Sequence, residues 1–299
     1  MTAALGLGTY RVRNVEQAAR TACAAGTAWV DTAPNYDHGR AHHALRPVLA
    51  EHPGVKVATK TGFLTREEGQ AAKDAGILSD EEIASGHSLT PDFVRWQTAR
   101  TLTQLGRADV VFVHNPERAG ADREDVHAAL RGAFTALEEY AHRGRIGGYG
   151  VTTWSGFDSG AFTVPELLAL AREAAGSSHH HLTAVQLPVS LVMSRPLTLA
   201  LDGRGPLVQA RARGLLTFGS APLHGGELPP LITPELAEFI RPGLSAAAAC
   251  LLAAGSCPSL DVVLTSVSTP THWREAAAAL ALPLDGRQLR EVTDVLAEG

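Results

Sequence analysis

The chain alternates between two hydrophobic rhythms. Short runs rich in Val, Ala, Leu and Thr read as buried parallel strands near residues 4–8, 28–32, 55–60, 109–114, 146–151, 183–187, 214–219 and 261–266. Between them the pattern is helix-like, near 14–26, 39–51, 91–106, 122–143, 159–175, 203–213, 233–254 and 270–281. Thr90-Pro91 and Thr233-Pro234 each put a proline in the first turn of a helix, where its missing N–H does no harm. Pure alternation of this kind implies parallel strands joined by right-handed crossovers. Eight strand-then-helix units is the count that closes a (β/α)8 TIM barrel, an α/β fold of about 250 residues. An open doubly wound sheet is the alternative.

One stretch departs from the rhythm. Residues 61–90 are too long for an ordinary strand-to-helix loop, which takes about 2–6 residues. The segment is acidic, follows Lys60 directly and has room for a short helix of its own. It reads as a long loop over the barrel mouth, a lid or a pocket wall.

Composition narrows the class. Apolar residues make up 45% of the 299, enough for one sizeable core, and no linker or low-complexity tract divides residues 1–299. A net charge of −5 with thinly spread basic residues argues against a nucleic-acid surface. No window approaches the ~20 apolar residues of a membrane span, and MTAALGLGTYRV lacks the features of a signal peptide. Cys23, Cys250 and Cys257 are odd in number, which favours reduced, buried thiols over a disulfide framework. The expectation is a cytoplasmic protein without a nucleic-acid or membrane partner; composition leaves open whether it is a monomer or small homo-oligomer. His42 and His43 read as solvated helix residues, and the adjacent His179, His180 and His181 as poor metal ligands. No metal site is expected, and nothing resembles HExxH, GxSxG or a P-loop.

Candidate chemistry sits at the strand ends. Asp31, Lys60 and His114 lie at or just past the ends of three apolar runs, and Tyr36 follows Asp31 closely. In a barrel of this kind the C-terminal strand ends converge on one mouth. A tyrosine with its ordinary pKa of about 10 is a weak acid near neutrality. Lys60 beside it would favour the phenolate and lower that value, Asp31 would hold the lysine charged, and His114 would donate to a substrate oxygen. Four such groups meeting there could build a proton-donating tyrosine.

The strings DTAPNY, ATK and VHNPE that carry these residues resemble the catalytic tetrad of the aldo-keto reductases. GLGTY (6–10), GYGVTTW (148–154) and VQLP (185–188) resemble that family's first-, fifth- and sixth-strand motifs. The resemblance implies an oxidoreductase that reduces an aldehyde or ketone to an alcohol, or the reverse, with Tyr36 as acid. Its implied cofactor is NADPH, with NADH as the alternative and no cofactor as a further one. The cofactor contacts implied are Gly8, Thr9, Asp31, Thr152, Thr153, Gln186, Ser220, Ser266, Ser268, Thr269 and Arg274. Tyr10, Phe63, Asn115, Trp154 and Met193 are the implied pocket walls for a small carbonyl substrate. The family's N-terminal plugging hairpin is expected to be reduced or absent.

Three departures stand out. Ser220 occupies the place of the aromatic that stacks on the nicotinamide, so either Phe218 swings in or the ring is held less tightly. The basic residue usual at the eighth-strand exit is missing, and Ala276 stands where an Asn is usual on the adenine side. These motivate a second reading, a redox-neutral lyase, cyclase or isomerase on the same barrel. A non-catalytic regulatory subunit is a third.

Overall fold

The computed structural model describes residues 2–298. Its strands are β1 (Ala4–Gly8), β2 (Trp29–Asp31), β3 (Lys56–Thr61), β4 (Val110–His114), β5 (Tyr149–Thr152), β6 (Leu182–Pro188), β7 (Leu216–Ser220) and β8 (Val262–Thr265). They follow one another in order around a closed parallel barrel. Helices α1 (Val15–Ala24), α2 (Ala41–Glu51), α3 (Arg66–Asp74), α4 (Asp80–Ser85), α5 (Pro91–Leu105), α6 (Arg123–His142) and α7 (Val164–Ala175) occupy the first part of the chain. The remainder are α8 (Arg195–Leu201), α9 (Pro206–Arg211), α10 (Pro234–Ile240), α11 (Ala246–Gly255), α12 (Pro270–Leu280) and α13 (Gly286–Glu298). The chain divides into two compact units, residues 31–185 and residues 1–30 with 186–299.

Within residues 31–185 the register fixes what meets what. Lys60 lies opposite Phe112, and Phe112 opposite Gly150. Paired residues of adjacent strands project to the same side, so Lys60, Phe112 and, two residues on, His114 share a face. The Phe112 ring is fully buried and needs the space a side chain at 150 would take. A Cβ on Gly150 would lie 2.6 Å from that ring and 2.5 Å from the Ala184 carbonyl oxygen.

The segment 61–90 holds two short helices rather than one. Thr65 caps α3 and a reciprocal Ser79–Glu82 capping box starts α4. Ala72, Leu78 and Phe93 form a small core there, lined by Leu64, Ile77, Ile83 and Trp96. The excursion closes at its neck, where Phe63 and His87 form an antiparallel bridge. Ser88 N–H donates to the Gly62 carbonyl at 3.0 Å and Leu64 N–H to that of Gly86 at 3.2 Å.

Several sequence expectations need correction. The helix expected over 233–254 is broken into α10 and α11. Pro242 disfavours helical backbone in the residue before it, and Arg241 is extended at φ −164°. The helix expected at 159–175 starts only at Val164, behind a Thr163–Glu166 capping box, and that at 203–213 is confined to Pro206–Arg211. Helices α8 and α13 were not expected; α13 begins where Asp285 and Gln288 exchange side-chain bonds to each other's backbone N–H. His42 is buried, not solvated, with Nε2 3.0 Å from Thr59 Oγ1.

The three cysteines are buried, and none is in a disulfide. Burial pushes the Cys250 thiol up to about 11 and Cys257 up to about 12, which leaves both protonated and unreactive. No helix among the described residues is long and apolar enough to cross a membrane.

Candidate active site

The site is built on alternation along β3. Thr59 and Thr61 point to the helices, where they meet His42 of α2 and Gln97 of α5. Lys60 projects to the other face and is sealed there, its side chain 2% exposed and that of Asp31 6%. Its Nζ donates to Asp31 Oδ1 at 2.6 Å and to the Thr32 carbonyl at 2.9 Å. Burial alone would lower the lysine pKa, but the charge of Asp31, with Tyr36 beside it, outweighs burial and the net shift is upward. Lys60 is therefore a fixed ammonium.

Tyr36 reaches the lysine through a tight turn. Ladder bonding continues past β2 with Thr32 N–H donating to Ala58, and Tyr36 N–H then turns back to the Ala33 carbonyl. A short 3₁₀ turn follows over Tyr36–Gly39, with Asp37 and His38 in the left-handed region at φ 49° and 54°. This sets the half-buried Tyr36 ring with its centroid 4.9 Å from Lys60 Nζ.

His114 ends β4 on the same face. Its ring meets Phe63 edge-on at 4.7 Å and Tyr36 at 6.4 Å between centroids. Burial first, then the positive Lys60 and the neighbouring His87, hold its pKa well below the ordinary value. The imidazole is neutral near pH 7, so it carries one N–H to donate. Its Nδ1 is buried without a hydrogen-bond partner among the described residues.

The other expected pocket residues are held as follows. Asn115 takes a left-handed turn at φ 49°, with its N–H on the Thr152 carbonyl at 2.8 Å. Trp154 is 45% exposed, and its backbone N–H donates to Glu117 Oε1 at 2.8 Å. In residues 1–30 and 186–299, Tyr10 is 51% exposed with the Arg11 guanidinium 5.4 Å from its ring. Met193 is half-buried, its N–H donating to Ser190 Oγ at 3.0 Å.

The residues assigned to a cofactor differ in how they are engaged. Thr9, Thr152 and Gln186 are buried polar groups at strand ends, and Gly8 ends β1. Thr153 Oγ1 accepts from Gly156 N–H at 2.7 Å and closes a turn. Ser266 Oγ lies 2.9 Å from the carbonyls of both Gly8 and Tyr10, sharing one proton between them. Thr269 caps α12 by accepting from His272 N–H, and Ser268 precedes it half-buried. Arg274 folds back over the first turn of α12, with Nε 3.3 Å from the Pro270 carbonyl. Ser220 is half-buried at the end of β7. Phe218 does not swing into its place: it is fully buried, edge-on to Trp29 at 4.9 Å.

The profile of the Aldo/keto reductase family matches residues 2–160, more than half of the chain. The chain belongs to the aldo-keto reductase family. The matched stretch contains Asp31, Tyr36, Lys60 and His114, whereas Gln186, Ser220, Ser266 and Arg274 lie beyond it. No protein of curated function matches the sequence. Among solved structures, glycerol dehydrogenase AKR11B4 from Gluconobacter oxydans superposes with a TM-score of 0.71 at 18% identity, over 98% of this chain and 91% of that one. The thermostable aldo-keto reductase Tm1743, solved with the inhibitor epalrestat, gives 0.69 at 17% identity, over 97% and 94%. An aldo-keto reductase from Klebsiella pneumoniae, solved with NADPH, gives 0.67 at 17% identity, over 98% and 90%. At such identities the likeness is one of fold.

Sequence reasoning missed three residues that shape this aldo-keto reductase site. Gln97 is fully buried; its Oε1 accepts from Thr61 Oγ1 and Gly62 N–H, both at 2.8 Å, and its Nε2 donates to the Phe63 carbonyl at 2.8 Å. It pins the chain just past Lys60. Glu117 Oε1 accepts from the N–H groups of Trp154 and Ser155 and fixes that turn. His87, from the neck of the excursion, packs on Phe63 at 4.8 Å and reaches the β4 end. Only the buried face of α5 carried a sequence signal for any of them.

Proposed function

We propose that this aldo-keto reductase interconverts a small aldehyde or ketone and its alcohol with a nicotinamide cofactor, NADPH before NADH. The observation that carries the reading is the buried Lys60–Asp31 pair at 2.6 Å with the Tyr36 ring beside it. Lys60 stabilises the phenolate that remains when Tyr36 gives its proton to the carbonyl oxygen. Asp31 keeps the lysine charged and aimed. Neutral His114 donates to the same oxygen and, with Tyr36, forms the site for developing negative charge. Phe63, Asn115 and Trp154, with Tyr10 and Met193, are assigned to the substrate, and the excursion 61–90 to one pocket wall.

These side chains move a proton but supply no hydride, so the chemistry of the donor set calls for a reductant. A bound nicotinamide supplies that hydride. To it we assign Gly8, Thr9, Asp31, Thr152, Thr153, Gln186, Ser220, Ser266, Ser268 and Thr269. Arg274 fits the phosphate of NADPH: its guanidinium lies over the first turn of α12, where helix N–H groups also favour an anion. The Klebsiella relative solved with NADPH supports this choice.

A second reading is favoured by one observation. Neither Phe218 nor Ser220 offers an aromatic face at the β7 exit, because Phe218 is buried against Trp29 and Ser220 carries only a hydroxyl. That suits a redox-neutral elimination, cyclisation or isomerisation by Tyr36, Lys60 and His114. Titration of the purified chain with NADPH and with NADH, followed by quenching of tryptophan fluorescence, separates the two. Micromolar binding of either cofactor supports the reductase. Binding of neither by folded protein turns the assignment to the redox-neutral enzyme.

A further inference from the structure

We infer that His87, supplied by the excursion between β3 and α5, is a positioning residue that sets the orientation of His114. The inference rests on the role proposed above for His114 and names a residue from outside the four that carry the chemistry. His87 Nε2 lies 2.7 Å from the His114 carbonyl oxygen, and since a carbonyl only accepts, that nitrogen bears the proton.

The bond fills a gap in the sheet. The β3–β4 ladder ends at Thr61 and Val113, one residue short of His114. The next amide along β3, that of Gly62, is diverted to Gln97 Oε1 at 2.8 Å. On the opposite edge Asn115 N–H still bonds to Thr152 at 2.8 Å. The peptide after His114 is thus held by β5 on one side and by an imidazole on the other, where the chain turns into the left-handed Asn115.

Access for that imidazole depends on Gly62. With φ at +133°, a Cβ there would lie 2.9 Å from His87 Nε2 and 3.3 Å from the His114 carbonyl oxygen. Any side chain at 62 would stand in the hydrogen bond. The rings complete the fixation: Phe63 meets His87 at 4.8 Å and His114 at 4.7 Å, edge-on in both cases. One neck of the excursion therefore grips His114 by its backbone and by its ring. Burial keeps His87 below its ordinary pKa and the Arg118 cation adds to this, so the donor is a neutral imidazole.

The test compares His87→Leu, which removes the donor, with His87→Gln, which places an amide N–H at a similar reach. NADPH binding and steady-state reduction of 4-nitrobenzaldehyde are measured for each in the full chain. His87→Leu is expected to lower kcat about tenfold or more while NADPH affinity stays within about twofold, and His87→Gln to recover most of the loss. Wild-type kcat in His87→Leu, or equal damage in both variants, overturns the inference, the latter because it would mark a packing role. A second readout does not depend on turnover. In protein labelled with 15N-histidine, the His87 Nε2–H is expected to exchange slowly, and the His114 ring signals to move in His87→Leu but not in His87→Gln. Fast exchange at His87 with unmoved His114 signals overturns the inference even if neither nicotinamide binds. Absence of cofactor binding in the wild type speaks only against the reductase reading.

Discussion

Lys60 donates to Asp31 across 2.6 Å in a setting where both side chains are almost wholly buried. A pair so buried is strongly destabilising when broken from one side, because the surviving charge is left without a partner. Lys60→Met alone and Asp31→Asn alone are each expected to lower unfolding stability by about 3–5 kcal/mol. The double variant is expected to lose less than the sum. Urea unfolding of all four proteins checks this, and strict additivity would show that the two groups do not act as a pair.

Tyr36 carries the proton in the proposed reaction. Tyr36→Phe keeps the ring that lies 4.9 Å from Lys60 Nζ and removes only the hydroxyl. Turnover with NADPH and a probe aldehyde should fall by about 100-fold or more, with cofactor affinity unchanged. Near-wild-type turnover would refute Tyr36 as the acid.

Arg274 distinguishes the two nicotinamide cofactors if its guanidinium meets the 2′-phosphate. Arg274→Ala should weaken NADPH by about tenfold, the scale of one charge-assisted hydrogen bond, and leave NADH unaffected. Equal weakening of both would place the arginine elsewhere on the cofactor or make its effect structural.

Glu68 gives the fold a pH dependence of its own. Burial raises its pKa to about 7 from an ordinary 4.5, against the pull of Gln97 and the Arg100 cation. Between those values the folded protein holds a proton that the unfolded chain has released, so stability falls as pH rises through the window. The full loss, roughly 3 kcal/mol, is present above pH 7 and absent below about 4.5. Glu68→Gln should therefore raise Tm at pH 8 and leave it unchanged at pH 4. Parallel Tm profiles for the two proteins would contradict the assignment.

Much of this molecule is legible in its sequence. All eight strands were visible because each is a short apolar run closed by a turn, and that placed Asp31, Lys60 and His114 at strand ends. A single helix near 233–254 overlooks Pro242-Gly243, a helix-breaking pair in which the proline lacks an N–H and crowds the preceding turn and Gly243 is left-handed at φ 78°. His42 was misplaced although Ala41, Leu45, Val48 and Leu49 mark the buried face of α2 on which it sits. The roles of His87 and Gln97 are not legible in the sequence, although the buried face of α5 marks the place of Gln97. Their roles depend on carbonyls and amides brought together by folding, and such partners leave no trace in side-chain pattern.

The bridge between Phe63 and His87 has a consequence for inheritance as well as for chemistry. Everything from Leu64 to Gly86 hangs from one pinched stem, and its small core of Ala72 and Leu78 is completed by Phe93 and Trp96 of α5. Lengthening a closed loop is cheap in entropy, about 0.6 kcal/mol for each doubling. Added length is therefore tolerated where the excursion touches nothing else, whereas the stem, the face packed on α5 and Glu68 beside Gln97 tolerate little change. The excursion is thus half insert and half barrel, and a graft between residues 64 and 86 would have to keep the apolar side chains that meet Phe93 and Trp96.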